Sequence, residues 1–132
     1  MTYAFVAIAL WTLALNHVGS GAHMLQNGLG WLLTSRDAAD RPDASVLEER
    51  LARVHRNHLE NVVVFLPMML LVEHLGRDTT WATTFAWVFL GARVAHLIFY
   101  AGGVPPLRSL SHVTNLSAHV GMALVAIGVI GF

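Results

Sequence analysis

The stretch that decides the fold is Glu49 to Pro67, E-R-L-A-R-V-H-R-N-H-L-E-N-V-V-V-F-L-P, which begins as a charged helix and runs without a break into an apolar one. At helical spacing Arg53, Arg56, Asn57 and Glu60 lie three, four and seven positions apart and share one face, and Arg50 extends that face by a turn. Guanidinium, carboxamide and carboxylate therefore project together at the mouth of a hydrophobic segment. Arg brings planar, permanently charged forks for carboxylates, Asn donates and accepts, and Glu receives an ammonium group, so a small zwitterion with several carboxylates suits the face. The same residues also read as the positive flank that orients a transmembrane helix, with Glu60 pairing to Arg56. Both readings use the same side chains, and the periodicity leaves them open.

Composition narrows the class. The 132 residues are 55% hydrophobic and 12% charged, too apolar and too weakly charged for an ordinary soluble domain, where about 25% is charged. A polytopic membrane protein is the economical reading. Formal net charge is zero and the eight basic residues are all Arg, so no broad polybasic surface argues for nucleic acid. The absence of cysteine excludes disulfides, thiolate metal sites and a protein thiol nucleophile, and sulfur chemistry must use a thiol brought by a substrate.

Four helices are expected, at about 3–27, 45–74, 80–101 and 106–131, in one domain over residues 1–132. Tyr3 to Leu15 is apolar and the run continues to Leu25, enough for the roughly 20 residues of a span. Gly19 to Ala22 looks like a signal-peptide cleavage zone, but no basic region precedes the run, so it is read as helix 1. Its Asn16 and His17 are expected to face other helices. Ser35 to Ser45 reads as a polar connection with Asp37 and Asp40 solvated. Helix 2 turns apolar from Val62 to Val72, with a kink expected at Pro67. A short turn over Glu73 to Thr80 makes helix 3 antiparallel, and Trp81 and Trp87 read as interface or lipid contacts. Gly102, Gly103, Pro105 and Pro106 end helix 3 and launch helix 4. Arg36, Arg41, Arg50, Arg53 and Arg56 gather between helices 1 and 2, with Arg93 and Arg108 near the next turn on that side. The positive-inside rule then puts both termini outside and the basic loops in the cytoplasm.

On helix 3, Arg93, His96 and Tyr100 again share a face, and at the start of helix 4 Arg108 and Ser109 follow the prolines with His112 one turn on. An Arg inside a span costs roughly 2.5–3.5 kcal/mol on insertion scales, so Arg93 needs a partner or a route to the interface. Taken singly, Arg93 reads as pairing with Glu60 or snorkelling, Tyr100 as an interface anchor and His96 as a satisfied core histidine. Their convergence with the helix-2 face on one side of the membrane favours a site.

Three motifs, R-x-H-R-N-x-x-E, G-x-R-V-A-H-x-x-x-Y and P-x-R-S, occur in order between Leu47 and Leu116. In this the chain resembles the MAPEG superfamily, the membrane-associated proteins of eicosanoid and glutathione metabolism, in its branch of prostaglandin E synthases and microsomal glutathione transferases. The resemblance implies an all-α, integral membrane four-helix bundle, assembled as a homotrimer with glutathione between neighbouring protomers. It also implies that Arg53, Arg56, Asn57, Glu60, His96, Tyr100, Arg108 and Ser109 shape the glutathione site, with Arg93 close by; matching residue types to the ligand then leaves Arg108 and Ser109 for the sulfur, as the expected catalytic residues. His112 stands where relatives often place a tyrosine, and is expected to line the same site. Helix 1 offers His23, Gln26 and Asn27 where relatives place a basic residue.

The expected activity is that of a glutathione transferase or peroxidase, which uses bound thiolate against a lipophilic electrophile or lipid hydroperoxide delivered from the bilayer. A non-catalytic protein that binds and presents membrane lipid is the alternative, although it has no need of a peptide-binding face. A haem bundle is a third reading given eight histidines, but His17, His112 and His119 do not specify paired axial ligands at matched depth.

Overall fold

The computed structural model describes residues 1–33 and 44–131, so the expected polar connection with Asp37 and Asp40 lies almost wholly outside the described residues. Four helices are present: α1 (Thr2–Asn27), α2 (Val46–His74), α3 (Thr80–Ala101) and α4 (Pro105–Ala126). A single 3-10 turn, Gly30–Leu33, follows α1. No strand occurs among the described residues.

Local chemistry fixes the helix starts. Ser45 Oγ accepts from the Glu48 amide at 3.2 Å while Glu48 Oε2 accepts from the Ser45 amide at 2.8 Å, a reciprocal cap that satisfies two otherwise unpaired donors. Thr79 Oγ1 accepts from the Ala82 amide at the start of α3. Pro105 and Pro106 open α4, where a missing N–H costs nothing. α2 runs unbroken through Pro67. The fourth helix stops at Ala126 rather than near 131, because Gly128 takes a positive φ of 77° and the Arg77 guanidinium donates to the Ala126 carbonyl. The apolar residues beyond, Val129 and Ile130, hide that stop in the sequence.

The core lies between the helices. Phe65 of α2 and Phe89 of α3 are fully buried and stack with ring centroids 4.0 Å apart, and His119 of α4 meets both rings edge-on at 5.0 and 5.4 Å. Ile8, Met69, Val72, Ala86, Ala118, Met122 and Val125 close around them. Gly121 on α4 allows Phe85 of α3 to lie directly across the helix.

α1 and α3 are long and apolar enough to cross a membrane; at 1.5 Å per residue, the 22 residues of α3 reach about 33 Å against a hydrocarbon thickness of ~30 Å. Only 17% and 33% of their apolar windows are buried inside the chain. They therefore turn most apolar side chains outward, opposite to the core helix of a soluble protein. Trp81 and Trp87 are both exposed. Asn16 and His17 depart from expectation: both are exposed on the outer side of α1. Ala4, Ile8, Leu15 and His23 hold the inward face, and each residue step rotates a side chain by about 100° away from it.

Candidate functional site

Where α2 begins, α2, α3 and α4 enclose a cleft of about 570 Å³, within the rough 300–1,000 Å³ range of small-molecule sites. The wall from α2 carries Arg53, Arg56, Asn57 and Glu60, the wall from α3 carries His96 and Tyr100, and α4 supplies Arg108, Ser109 and His112. All nine residues singled out by spacing and resemblance thus meet in one cavity. Val113 is the one lining residue that sequence reasoning did not name. The position of α4 follows from its start: two prolines set the helix so that Arg108 and Ser109 fall in its first turn, facing the end of α3.

The contacts show which charges on the Arg face are paired within the protein. Arg53 pairs with Glu49 at 2.9 Å, with both side chains more than half exposed, a solvated pair worth about 0.3–0.5 kcal/mol. No ion pair joins Arg56 to Glu60 among the described residues. Arg93 does not reach Glu60 either. It is 1% exposed and donates from Nη1 to Asn57 Oδ1 at 3.0 Å and from Nε to His58 Nδ1 at 3.3 Å. Glu60, Arg56 and Arg108 are thereby left without a protein ion-pair partner in the cleft, and three guanidinium groups face one carboxylate.

The opposite side is built on stacking. The guanidinium carbon of Arg108 sits 5.1 Å from the centre of the Tyr100 ring, which holds the cation by its face and leaves the N–H donors for a ligand. Ser111 Oγ donates to the Arg108 carbonyl at 2.7 Å and so takes the N–H of His96 Nδ1 at 3.3 Å. That fixes the His96 tautomer and leaves its Nε2 buried without a partner. Ser109 Oγ donates to the Pro105 carbonyl at 3.1 Å, so its hydroxyl must turn from that carbonyl to donate elsewhere.

Behind the cleft runs a polar layer that the sequence did not announce. Thr12 Oγ1 donates to the Ile8 carbonyl and accepts from His58 Nε2, each at 2.8 Å. His58 therefore keeps its Nδ1 lone pair for Arg93, and the chain of donors runs one way from α3 through α2 to α1. A second set ties α2 to α4: Asn115 donates to Asn61 Oδ1 at 2.7 Å, Asn61 donates to the Asn57 carbonyl at 2.6 Å, and His119 contacts the Asn61 and Asn115 carbonyls. The available signal was His58, set in the stripe Leu51, Val54, Val62 and Phe65 that α2 buries.

At the same end of the bundle, buried His23 of α1 pairs with Glu48 of α2 and does not line the cleft. Backbone hydrogen bonding from Ser45 holds the Glu48 carboxyl below the usual carboxylate range; His23 and the Ser45 side chain add to this and burial opposes it.

The sequence profile of the MAPEG family matches residues 1–128. The chain belongs to the MAPEG family. It is therefore a membrane protein with the four-helix bundle of that family. Among curated MAPEG-like relatives, Microsomal glutathione S-transferase 1 of Homo sapiens is 38% identical over 76 residues, covering 57% of this chain and 49% of the relative. The protein of that name from Rattus norvegicus gives the same figures. Prostaglandin E synthase of Equus caballus is 35% identical over 77 residues, 58% of this chain and 50% of the relative. The chain spans about half the length of the curated relatives it matches. No solved structure matches it.

Proposed function

We propose that this MAPEG chain is a membrane-embedded glutathione transferase that also reduces lipid hydroperoxides, with the cleft as its glutathione site. The observation that carries the reading is the convergence of Arg53, Arg56, Asn57, Glu60 and Arg108, from two helices, on one cavity whose cations outnumber its carboxylate. Glutathione has two carboxylates, one ammonium group and one thiol. Arg53 and Arg56 hold the carboxylates, Glu60 takes the ammonium group beside Asn57, and His96, Tyr100 and His112 line the peptide. Arg108 remains for the sulfur.

Bound glutathione supplies a thiolate, which displaces the leaving group of a lipophilic electrophile, or attacks the outer oxygen of a hydroperoxide so that the O–O bond breaks and the lipid alcohol departs. The resulting sulfenic acid is reduced by a second glutathione to disulfide and water. The protein's part is to hold that sulfur ionised. A free thiol titrates near 8.5, and lowering it by about two units requires roughly 2.7 kcal/mol of preference for the charged form. One or two charge-assisted hydrogen bonds of about 1.5–3 kcal/mol each cover that amount. The Arg108 donors, left available by the stack on Tyr100, are placed for this role, and Ser109 joins when its hydroxyl leaves the Pro105 carbonyl.

We assign the assembly as a homotrimer with the cleft toward the cytoplasm. Exposed Asn16 and His17 on an apolar span support association, since polar groups at membrane depth gain from a neighbouring helix.

The test is conjugation of a model aryl halide and reduction of a lipid hydroperoxide in detergent, with Arg108→Ala beside the parent. The variant should raise the bound thiol pKa by about one to two units and slow turnover about 10- to 100-fold, with glutathione affinity changed far less. An unchanged thiolate absorbance titration refutes the role of Arg108. Thermal stabilisation by lipid but not by glutathione would instead favour a non-catalytic lipid-presenting protein.

A further inference from the structure

A second cavity of about 230 Å³ adjoins the cleft, with Arg53 and the stack of Tyr100 and Arg108 as the shared wall. Arg50, Arg53 and Arg108 surround it, and the loop between α3 and α4 forms its floor. Arg50 donates from Nη1 to the Ala101 carbonyl at 3.1 Å, which pins the guanidinium while its remaining N–H groups have no protein acceptor among the described residues. Gly103 makes this placement possible: it takes a φ of 68°, and a Cβ there would lie 2.7 Å from Arg50 Nη1. Among the described residues, the one carboxylate paired to the three cations is Glu49, on Arg53. Two positive charges therefore remain uncompensated in a concave site at the uncapped start of α4, an arrangement that favours an oxyanion.

The other walls say what carries the anion. Phe99 and Val104 line the same cavity, and Phe99 also lines a neighbouring apolar groove with Leu107 and Leu110 of α4, of which Leu110 is 61% exposed. A charged pocket thus opens onto apolar surface at the end of a helix long enough to span a bilayer. At ~30 Å³ per water, the volume is on the order of seven water molecules, ample for a tetrahedral head but not for an acyl chain. We propose that the cavity between Arg50, Arg53 and Arg108 binds the phosphate head of a membrane lipid whose tails lie in the groove of Phe99, Leu107 and Leu110. Basic pockets between helices at a membrane face attract such heads. The inference does not rest on glutathione binding in the neighbouring cleft.

Calorimetric titration of the full chain in an uncharged maltoside detergent tests it, with dodecyl phosphate and inorganic phosphate as probes. Dodecyl phosphate should bind saturably, at least tenfold tighter than inorganic phosphate. Arg50→Gln should weaken it at least tenfold. Because Arg50 also braces the loop, Val104→Glu provides an independent variant that leaves the Ala101 contact in place and introduces a carboxylate at the rim; the same loss is expected. Saturating glutathione should change the dodecyl phosphate affinity by a fixed factor, the signature of two coupled sites. Displacement in proportion to glutathione concentration means one site and overturns the proposal, as does dodecyl phosphate binding that ignores both substitutions. Equal binding of inorganic phosphate overturns the lipid as occupant. If glutathione fails to bind while dodecyl phosphate behaves as described, the proposed function falls and this site stands.

Discussion

Arg93 donates to Asn57 Oδ1 at 3.0 Å across the interface of α2 and α3, and a guanidinium can only donate. That contact uses one of the two lone pairs of the Asn57 oxygen, while its NH2 has no protein acceptor among the described residues. Under the proposed function the group Asn57 offers the cleft is this NH2 donor, suited to a carboxylate or carbonyl of the ligand.

Asn57→Asp should keep the fold, because the new carboxylate pairs with Arg93, but it removes the NH2 donors. Glutathione affinity is expected to drop about tenfold, one hydrogen bond of ~1.5 kcal/mol, with little change in melting temperature. Arg93→Met should instead lower stability by about 1–3 kcal/mol for each buried acceptor left bare. Calorimetry and thermal unfolding separate the two effects; equal glutathione affinity in Asn57→Asp and parent would dismiss the donor role.

Glu60 has no ion pair among the described residues, which makes it the available partner for an ammonium group. In a cycle of parent and Glu60→Gln against glutathione and its des-amino analogue, each single change should weaken binding about tenfold, while the two together cost little more than either. Fully additive losses would mean that Glu60 and the ammonium group do not meet.

The Glu48 carboxyl is held low chiefly by the Ser45 amide, so its folded pKa lies below its unfolded value. A group of that kind contributes stability above the unfolded value of 4.5, and the contribution fades as pH falls through the folded pKa. Glu48→Gln should cost about 1 kcal/mol at pH 7 and flatten the acid limb of the melting curve. Parallel acid limbs in parent and variant would remove Glu48 from the balance.

At Gly121 an added Cβ would run into the Phe85 ring. Gly121→Val should lower stability by about 1–3 kcal/mol through overpacking, and Gly121→Val with Phe85→Ala should recover part of it. Thermal melts of the parent and the two variants in one detergent measure this; absence of recovery would show that the α3 and α4 contact lies elsewhere.

Much of the scaffold was legible because its stops and starts are short-range chemistry. Ser45 with Glu48, and Pro105 with Pro106, announce helix starts whatever surrounds them. The faces carrying Arg53 through Glu60 and Arg93 through Tyr100 follow from helical period alone. The partner of Arg93 does not, since Asn57 and Glu60 are one turn apart on the same face and the choice depends on how α2 and α3 are rotated against each other. That Asn16 and His17 face away from this chain's own helices was hidden for the same reason: the apolar period of α1 is weak, and any face could have been turned inward. The stop at Ala126 was hidden because apolar residues continue past a glycine whose backbone sign no pattern displays.

The ties from Asn115 to the Asn61 side-chain oxygen and from His119 to the Asn61 backbone carbonyl lie one turn beyond Asn57. In a hydrocarbon surround nothing replaces a broken tie of this kind, so α2 and α4 do not part to admit a guest. Association with the cavity should then be a single fast phase with no helix rearrangement to wait for.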